Sequence, residues 1–572
     1  MTNNLSKLIQ AARGEKESDL LLTNGKIINV FSGDVQNNSI AVSSGYIVGF
    51  GDYPAKKTID LKGQFVSPGF IDAHVHIESS MTCISEYARA VISHGTTTVV
   101  ADPHEIANVL GIQGLLYMME SSKNQFLNVY FTLPSCVPAT DMETSGAMLT
   151  SKDIEAFMGH DKIVGLGEMM NFPGVLFRNK EVLSKINAAK KLKKPVDGHS
   201  PRLSGRDLYA YLAAGISSDH ECNEESEARE KLMAGMHVMI REGTAAGNLH
   251  ALIPLINDRN VSRLMWCTDD RHPHELINEG SIDAIVREAI RSGVDPINAI
   301  KMATISAADY FGLNDIGAIA PGRRADLVIF EDMNCPEAGM VFSFGRLIVK
   351  DGRLLSQIHS PSQVDIRPSM NVDLSALDFS IPAEGKYARV IEIVPNQIIT
   401  RQIIVDPFIK NHLALSDVSR DILKIAVVER HKKTGNVGKG FVRGLGLKRG
   451  AIASSVAHDS HNIIAAGVND MDMLTAVHAV IRMGGGLVVA CDNKIIAGLG
   501  LPIAGLMSCD PVEIVRDKLD TLIDICHDLG STLKDPFMAL SFLALPVIPD
   551  LKLTDKGLVD VGQFGFVSLF VP

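Results

Sequence analysis

Concentrated positive charge is missing from this sequence. Lysine and arginine number 55 against 66 aspartates and glutamates, the formal net charge is −11, and no basic run is long. Phosphate binding needs a concentrated positive surface, so no nucleic-acid partner is expected. The tract Arg430-His431-Lys432-Lys433 is short and is expected to be a solvated loop. Cysteine occurs eight times (Cys83, Cys136, Cys222, Cys267, Cys335, Cys491, Cys509 and Cys526) but never in the close pairs of a zinc knuckle or redox motif. Buried, reduced thiols in a cytoplasmic protein are the expectation. A bilayer-spanning run is also absent, because Asp492, Asn493 and Lys494 interrupt the most apolar stretch of the last third. The opening Met1-Thr2-Asn3-Asn4-Leu5-Ser6 has neither the basic nor the apolar region of a secretory signal. No internal repeat or low-complexity tract is found. Gly484-Gly485-Gly486 is not followed by Lys-Ser/Thr, so it reads as a turn into a strand and not as a phosphate loop.

What is present is the composition of a globular enzyme, 46% hydrophobic and 21% charged. Cores stop growing at roughly 250 to 300 residues, so a chain of 572 residues is expected to split into two or three domains. Residues 19–66 read as short strands separated by turns, one of them at Asn24-Gly25. From Pro68 the pattern becomes strand-like apolar runs separated by helical stretches, which predicts parallel βα units. Candidate strands fall at 74–77, 97–101, 129–133, 163–168, 195–199, 216–220, 237–241 and 264–269, and eight of them suggest a (β/α)8 barrel. The connector 281–291 shows helical spacing through Ile282, Ile285, Val286, Ala289 and Ile290. Strand character returns at 322–330 and 345–352. The fold expected is therefore α/β: a TIM-like barrel (68–310) inserted in a small β-sandwich domain (1–67 and 311–360), followed by a C-terminal α+β domain (361–572). A segment rich in Pro, Ser and Asp from about Ser360 marks the last boundary.

The sharpest chemical signal is Pro68-Gly-Phe-Ile-Asp-Ala-His74-Val-His76, because histidines at i and i+2 on a strand project from one face and can grip one metal ion. Further polar residues end later strands in the same way: Glu168, His199, His220 and Asp269. Each alone reads as a satisfied core residue or a loop cap. Together, four histidines and two carboxylates on C-terminal strand ends point to a metal centre at the barrel mouth, where sites of this fold assemble. Trp266, the single tryptophan, lies in an apolar strand and reads as core. His458, Asp459 and His461 read as a hydrogen-bonded loop, with a cover over the barrel mouth as the alternative.

These residues resemble the amidohydrolase superfamily, in which His74, His76, His199, His220 and the strand-eight Asp269 match the metal ligands. Many members carry a carboxylated lysine after strand four, whereas this chain has Glu168, which disfavours hydantoinase-type chemistry. With Ala101-Asp-Pro-His-Glu-Ile-Ala-Asn-Val, Asp197-Gly-His-Ser-Pro, Ser218-Asp-His-Glu and Cys267-Thr-Asp-Asp-Arg-His-Pro, the sequence is similar nearly end to end to the bacterial adenine deaminase family. The resemblance implies two divalent ions, manganese or iron, with zinc equally suited to imidazole and carboxylate. It also implies a homo-oligomer, a dimer, and hydrolysis of adenine to hypoxanthine and ammonia by a metal-activated hydroxide. In that scheme Glu168 bridges the ions, and Asp269, with Asp270 as the alternative, accepts the water proton and passes it to the leaving amine. Glu221, beside His220, is the candidate donor to N1 of the purine, against a reading as an exposed acid opening the run Glu224, Glu225 and Glu227. His104 and Glu105, with Asp270, are candidates for substrate contact. Another amidohydrolase acting on a different aminopurine or cyclic amide, and a non-catalytic scaffold, remain open. The zinc cytidine-deaminase type needs Pro-Cys-x-x-Cys, which is absent.

Overall fold

A computed structural model describes residues 2–244, 246–355, 366–395 and 397–572, so the expected boundary between 360 and 361 lies outside the described residues. Eight short strands run parallel in chain order: β1 Phe70–Val75, β2 Thr96–Ala101, β3 Asn128–Leu133, β4 Ile163–Met169, β5 Val196–Gly198, β6 Ser218–Asp219, β7 His237–Arg241 and β8 Leu264–Cys267. Strands β1 to β5 and β6 to β8 form two hydrogen-bonded sheets. Between them the Ser217 amide donates to the Val196 carbonyl at 2.9 Å. On the other side the chain just past β8 pairs with β1, through a parallel bridge of Val75 with Asp269. The ring thus closes at the residues expected to bind metal.

Several strands end earlier than the sequence suggests. His76, His199, His220 and Asp269 all lie just beyond their strands, not within them. His74 and Glu168 reach the mouth from within β1 and β4, whereas Asp269 lies past β8 with a left-handed backbone, φ 57°, while still bridged to Val75. Apolar residues fill the strands: Trp266 is fully buried and its indole N–H donates to the Ala299 carbonyl at 2.8 Å, a core role as expected. The predicted helix is found at Ile282–Arg291.

Strands before and after the barrel join in one nine-stranded sheet, where Phe65–Pro68 pairs antiparallel with the returning Leu327–Phe330. The turn expected at Asn24-Gly25 is instead a bulge within a single strand, Leu20–Ile28. Asn24 takes φ 56°, and a β-carbon on Gly25 would sit 3.0 Å from Leu61, so the pair kinks the strand without reversing it. The C-terminal region builds a second nine-stranded sheet from strands between Tyr387 and Val571 and packs the helices Asp470–Arg482 and Val512–Asp528 around it. Its apolar residues, Val515 and Leu522 among them, share one cluster with Ile84 and Met118 of the barrel helices, so barrel and C-terminal region pack as one core.

Two further expectations change. Arg430 is fully buried, not solvated, and donates to the carbonyls of Ala504 at 2.9 Å, Ser369 at 3.0 Å and His461. A guanidinium pays for burial only when its donors are filled, and here carbonyls fill them. Among the cysteines, all unpaired, Cys509 is exposed and Cys335 half-buried, and the other six are buried. No helix among the described residues is long and apolar enough to cross a membrane.

Candidate metal centre and active site

The six residues singled out at strand ends meet at the C-terminal mouth of the barrel. His74 and His76 present their Nε2 atoms 3.2 Å apart. Both face Asp269 Oδ1, at 3.4 and 3.2 Å. Across from them, His199 Nδ1 lies 2.6 Å and His220 Nε2 3.3 Å from Glu168 Oε2. Glu168 Oε1 faces the first pair, 3.3 Å from His76 Nε2. One carboxylate therefore stands between two histidine pairs and turns a different oxygen to each.

The donor set fits divalent cations. His76 Nδ1 lies 2.9 Å from the Asp102 carbonyl, which can only accept, so Nδ1 carries the hydrogen and the Nε2 lone pair points at His74. Converging lone pairs and carboxylate oxygens are stable only around positive charge. His74, His76 and Asp269 form one group, and His74, Glu168 and His220 another, whose ligand atoms lie within 4.8 Å of one another. His199 Nε2 is buried without a partner.

The remaining candidates line the same cavity. Glu221 is buried, not an exposed loop acid, and its Oε1 lies 3.6 Å from His199 Nδ1 and 3.5 Å from His220 Nε2. His104 Nδ1 lies 3.4 Å from Glu168 Oε1. Asp270 lines the cavity and accepts from the Ser79 hydroxyl at 2.5 Å, and burial together with the adjacent Asp269 pushes its carboxyl up. Glu105 pairs with the C-terminal region and holds His458, 2.9 Å from its Oε1, with His461 Nε2 3.8 Å from Oε2. The loop carrying His458 and Asp459 is thus not remote: both residues line the cavity, and the C-terminal region covers the barrel mouth.

Three residues were not assigned from the sequence. Arg241, at the end of β7, donates from Nη1 to Asp269 Oδ2 at 2.7 Å and from Nη2 to Glu221 Oε2 at 3.0 Å. Burial alone would raise the Asp269 carboxyl, but Arg241 and the two histidines hold it well below the usual carboxylate range. Its position at a strand end, like the ligands, is the signal that would have found it. Asp102 accepts from the Glu168 amide at 3.0 Å, tying β2 to β4 beneath the bridging carboxylate. Asp72 accepts from the Thr268 hydroxyl at 2.5 Å and its amide at 3.1 Å, and burial pushes its carboxyl up to about 7. Those bonds fix β1 against the chain that carries Asp269.

The cover is held by Lys552, whose buried ammonium donates to the carbonyls of Ile398 and Phe542, each at 2.9 Å. Both residues line the cavity. Burial pushes this amine down to about 7. Lys552→Met is expected to leave the Ile398 carbonyl without its ammonium donor and that of Phe542 with only the Leu545 amide at 3.4 Å, lowering stability by about 1–3 kcal/mol in denaturant melts.

Fold and site define a metal-dependent hydrolase, and residues 65–372 match the model of the amidohydrolase family. Residues 397–565 match the adenine deaminase C-terminal domain. Among curated proteins, the chain is 55% identical to an adenine deaminase of Desulfatibacillum aliphaticivorans, over 99% of both chains. It is 50% identical to one of Methanothrix thermoacetophila, covering 99% of this chain and 100% of the relative. With "Adenine deaminase 2" of Carboxydothermus hydrogenoformans it shares 47%, over 99% of both. The chain belongs to the adenine deaminase family.

Proposed function

We propose that this protein hydrolyses adenine to hypoxanthine and ammonia at a binuclear centre bridged by Glu168. The observation that carries the reading is the placement of the two Glu168 oxygens between separate histidine pairs. His74, His76 and Asp269 would hold one cation, His199 and His220 the other, and Glu168 both. Divalent ions bound there supply Lewis acidity that makes water a nucleophile near neutral pH. Asp269 accepts the proton released as water adds to C6 and delivers it to the departing amine, so that the C6–N bond breaks with loss of ammonia. Glu221, a carboxylate oriented by Arg241, takes the second water proton as the C6–O group closes to a carbonyl and gives it to N1. His104, Glu105 and Asp270 line or support the purine pocket.

Manganese or iron suits these ligands, and zinc shares the same chemistry. A cytoplasmic homodimer completes the proposal. The scaffold is a (β/α)8 barrel (68–310) inserted in a small β-sandwich domain (1–67 and 311–360), with a C-terminal α+β domain (361–572). The test is ammonia release from adenine by metal-stripped and manganese-reconstituted protein. Activity restored by manganese supports the reading; silence on adenine beside turnover of a cyclic amide overturns it.

A further inference from the structure

The C-terminal region contributes more than a cover. If C6 and its amine sit at the histidine pairs, the purine edge opposite them, carrying N3 and N9, faces the cap. Its contribution to the cavity lining is Ile398, His458, Asp459, Phe542, Leu545 and Ile548. Only Asp459 among these offers a carboxylate. The residue is 2% exposed, its Oδ1 lies 3.8 Å from His104 Nε2, and its Oδ2 is buried with no hydrogen-bond partner. A buried carboxylate oxygen without a donor costs free energy, and a ligand N–H removes that cost.

The neighbouring histidines do not make this a third metal site. The Ala457 amide donates to His461 Nδ1 at 3.2 Å, so the neutral ring carries its hydrogen on Nε2, the atom facing Glu105, and has no lone pair to give there. Burial pulls His458 down, but Glu105 raises it to about 9, and its ring stacks on Phe542 with centroids 4.5 Å apart. The cluster is an ion pair that fixes the loop. The loop is tied down further by Asn462 Nδ2, which donates to the Thr144 carbonyl at 2.9 Å, and by the Ser460 carbonyl, 2.6 Å from His431 Nε2.

We infer that Asp459 reads the N9–H of the purine and thereby selects the free base over N9-substituted purines such as nucleosides. The inference rests on the adenine reading above. A free base offers an N–H donor on its distal edge; a nucleoside carries a carbon there, leaves the carboxylate unpartnered and pushes a sugar against Ile398, Leu545 and Ile548. Sites built to hydrogen-bond one substrate group reject analogues lacking it by roughly 10⁴ to 10⁵.

The probe is 9-methyladenine, which replaces N9–H by a methyl group. Manganese-loaded wild type and Asp459→Ala are compared by kcat/KM on adenine and 9-methyladenine, with metal content and melting temperature as controls. Wild type is expected to favour adenine by at least about a thousandfold. In Asp459→Ala the ratio should fall to roughly tenfold or less, mainly through a higher KM for adenine, with metal content unchanged. A structural role alone would lower both activities and leave the ratio intact, and that result overturns the inference. Equal turnover of both purines by wild type overturns it as well. Wild type that releases no ammonia from adenine sinks the adenine reading and this inference with it, whereas active wild type with an unchanged ratio in the variant sinks the inference alone. Should Asp459→Ala not fold, Asp459→Asn, which retains an accepting oxygen, keeps the ratio measurable and is expected to lie between the two.

Discussion

Glu168→Gln is expected to lose deaminase activity by about a thousandfold or more and to purify with less metal than wild type. The amide keeps the size of the carboxyl but offers one oxygen where two are needed, so it cannot face His76 on one side and His199 and His220 on the other. Bound cations supply several kcal/mol of transition-state stabilisation, and each 1.4 kcal/mol is a factor of ten. The measurement is ammonia release together with elemental analysis of the purified variant. A variant holding the full metal complement with activity within tenfold of wild type would remove Glu168 from the bridging role. Because Glu168 is 3% exposed and its amide is held by Asp102, the fold is expected to survive the change.

Arg241→Met is the substitution expected to cost the most stability. It strands two buried carboxylates, Glu221 and Asp269, each of which now takes a guanidinium hydrogen bond. Removing one partner from a buried ion pair costs about 3–5 kcal/mol, because the remaining charge keeps its desolvation penalty. The midpoint of denaturant unfolding reads this directly. Arg241→Lys keeps the charge but cannot present two N–H groups in a fixed fork, so it should recover part of the stability and leave Glu221 and Asp269 less well oriented. Loss of activity in Arg241→Lys with little loss of stability would mark Arg241 as a positioning residue and not only a structural one. A methionine variant as stable as wild type would show that neither carboxylate depends on it.

Much of the site was legible because its signals are local. Histidines two apart on a strand must share a face, and polar residues ending successive apolar runs must gather at one end of any barrel those runs build. His74, His76, Glu168, His199, His220 and Asp269 follow from that rule, and the structure brings all six together. What failed depended on partners far away in the chain. Asn24-Gly25 carries the residues of a hairpin turn, yet pairing with strands 35–43, 58–60 and 65–68 pulled it into a bulge. Arg430 lies in a basic tract that looks solvated until carbonyls of Ser369, His461 and Ala504 close around it.

By itself, then, the amino-acid order determined which side chains could hold cations and which runs could become strands, since both follow from spacing along a backbone of fixed period. Tertiary structure alone decided that Arg241 joins two carboxylates, that Glu105 pairs with His458, and that a loop some 350 residues beyond β2 covers the mouth with Asp459. Those contacts arise from the packing of the C-terminal region on the barrel, and no local pattern encodes which distant surface will supply the missing partner.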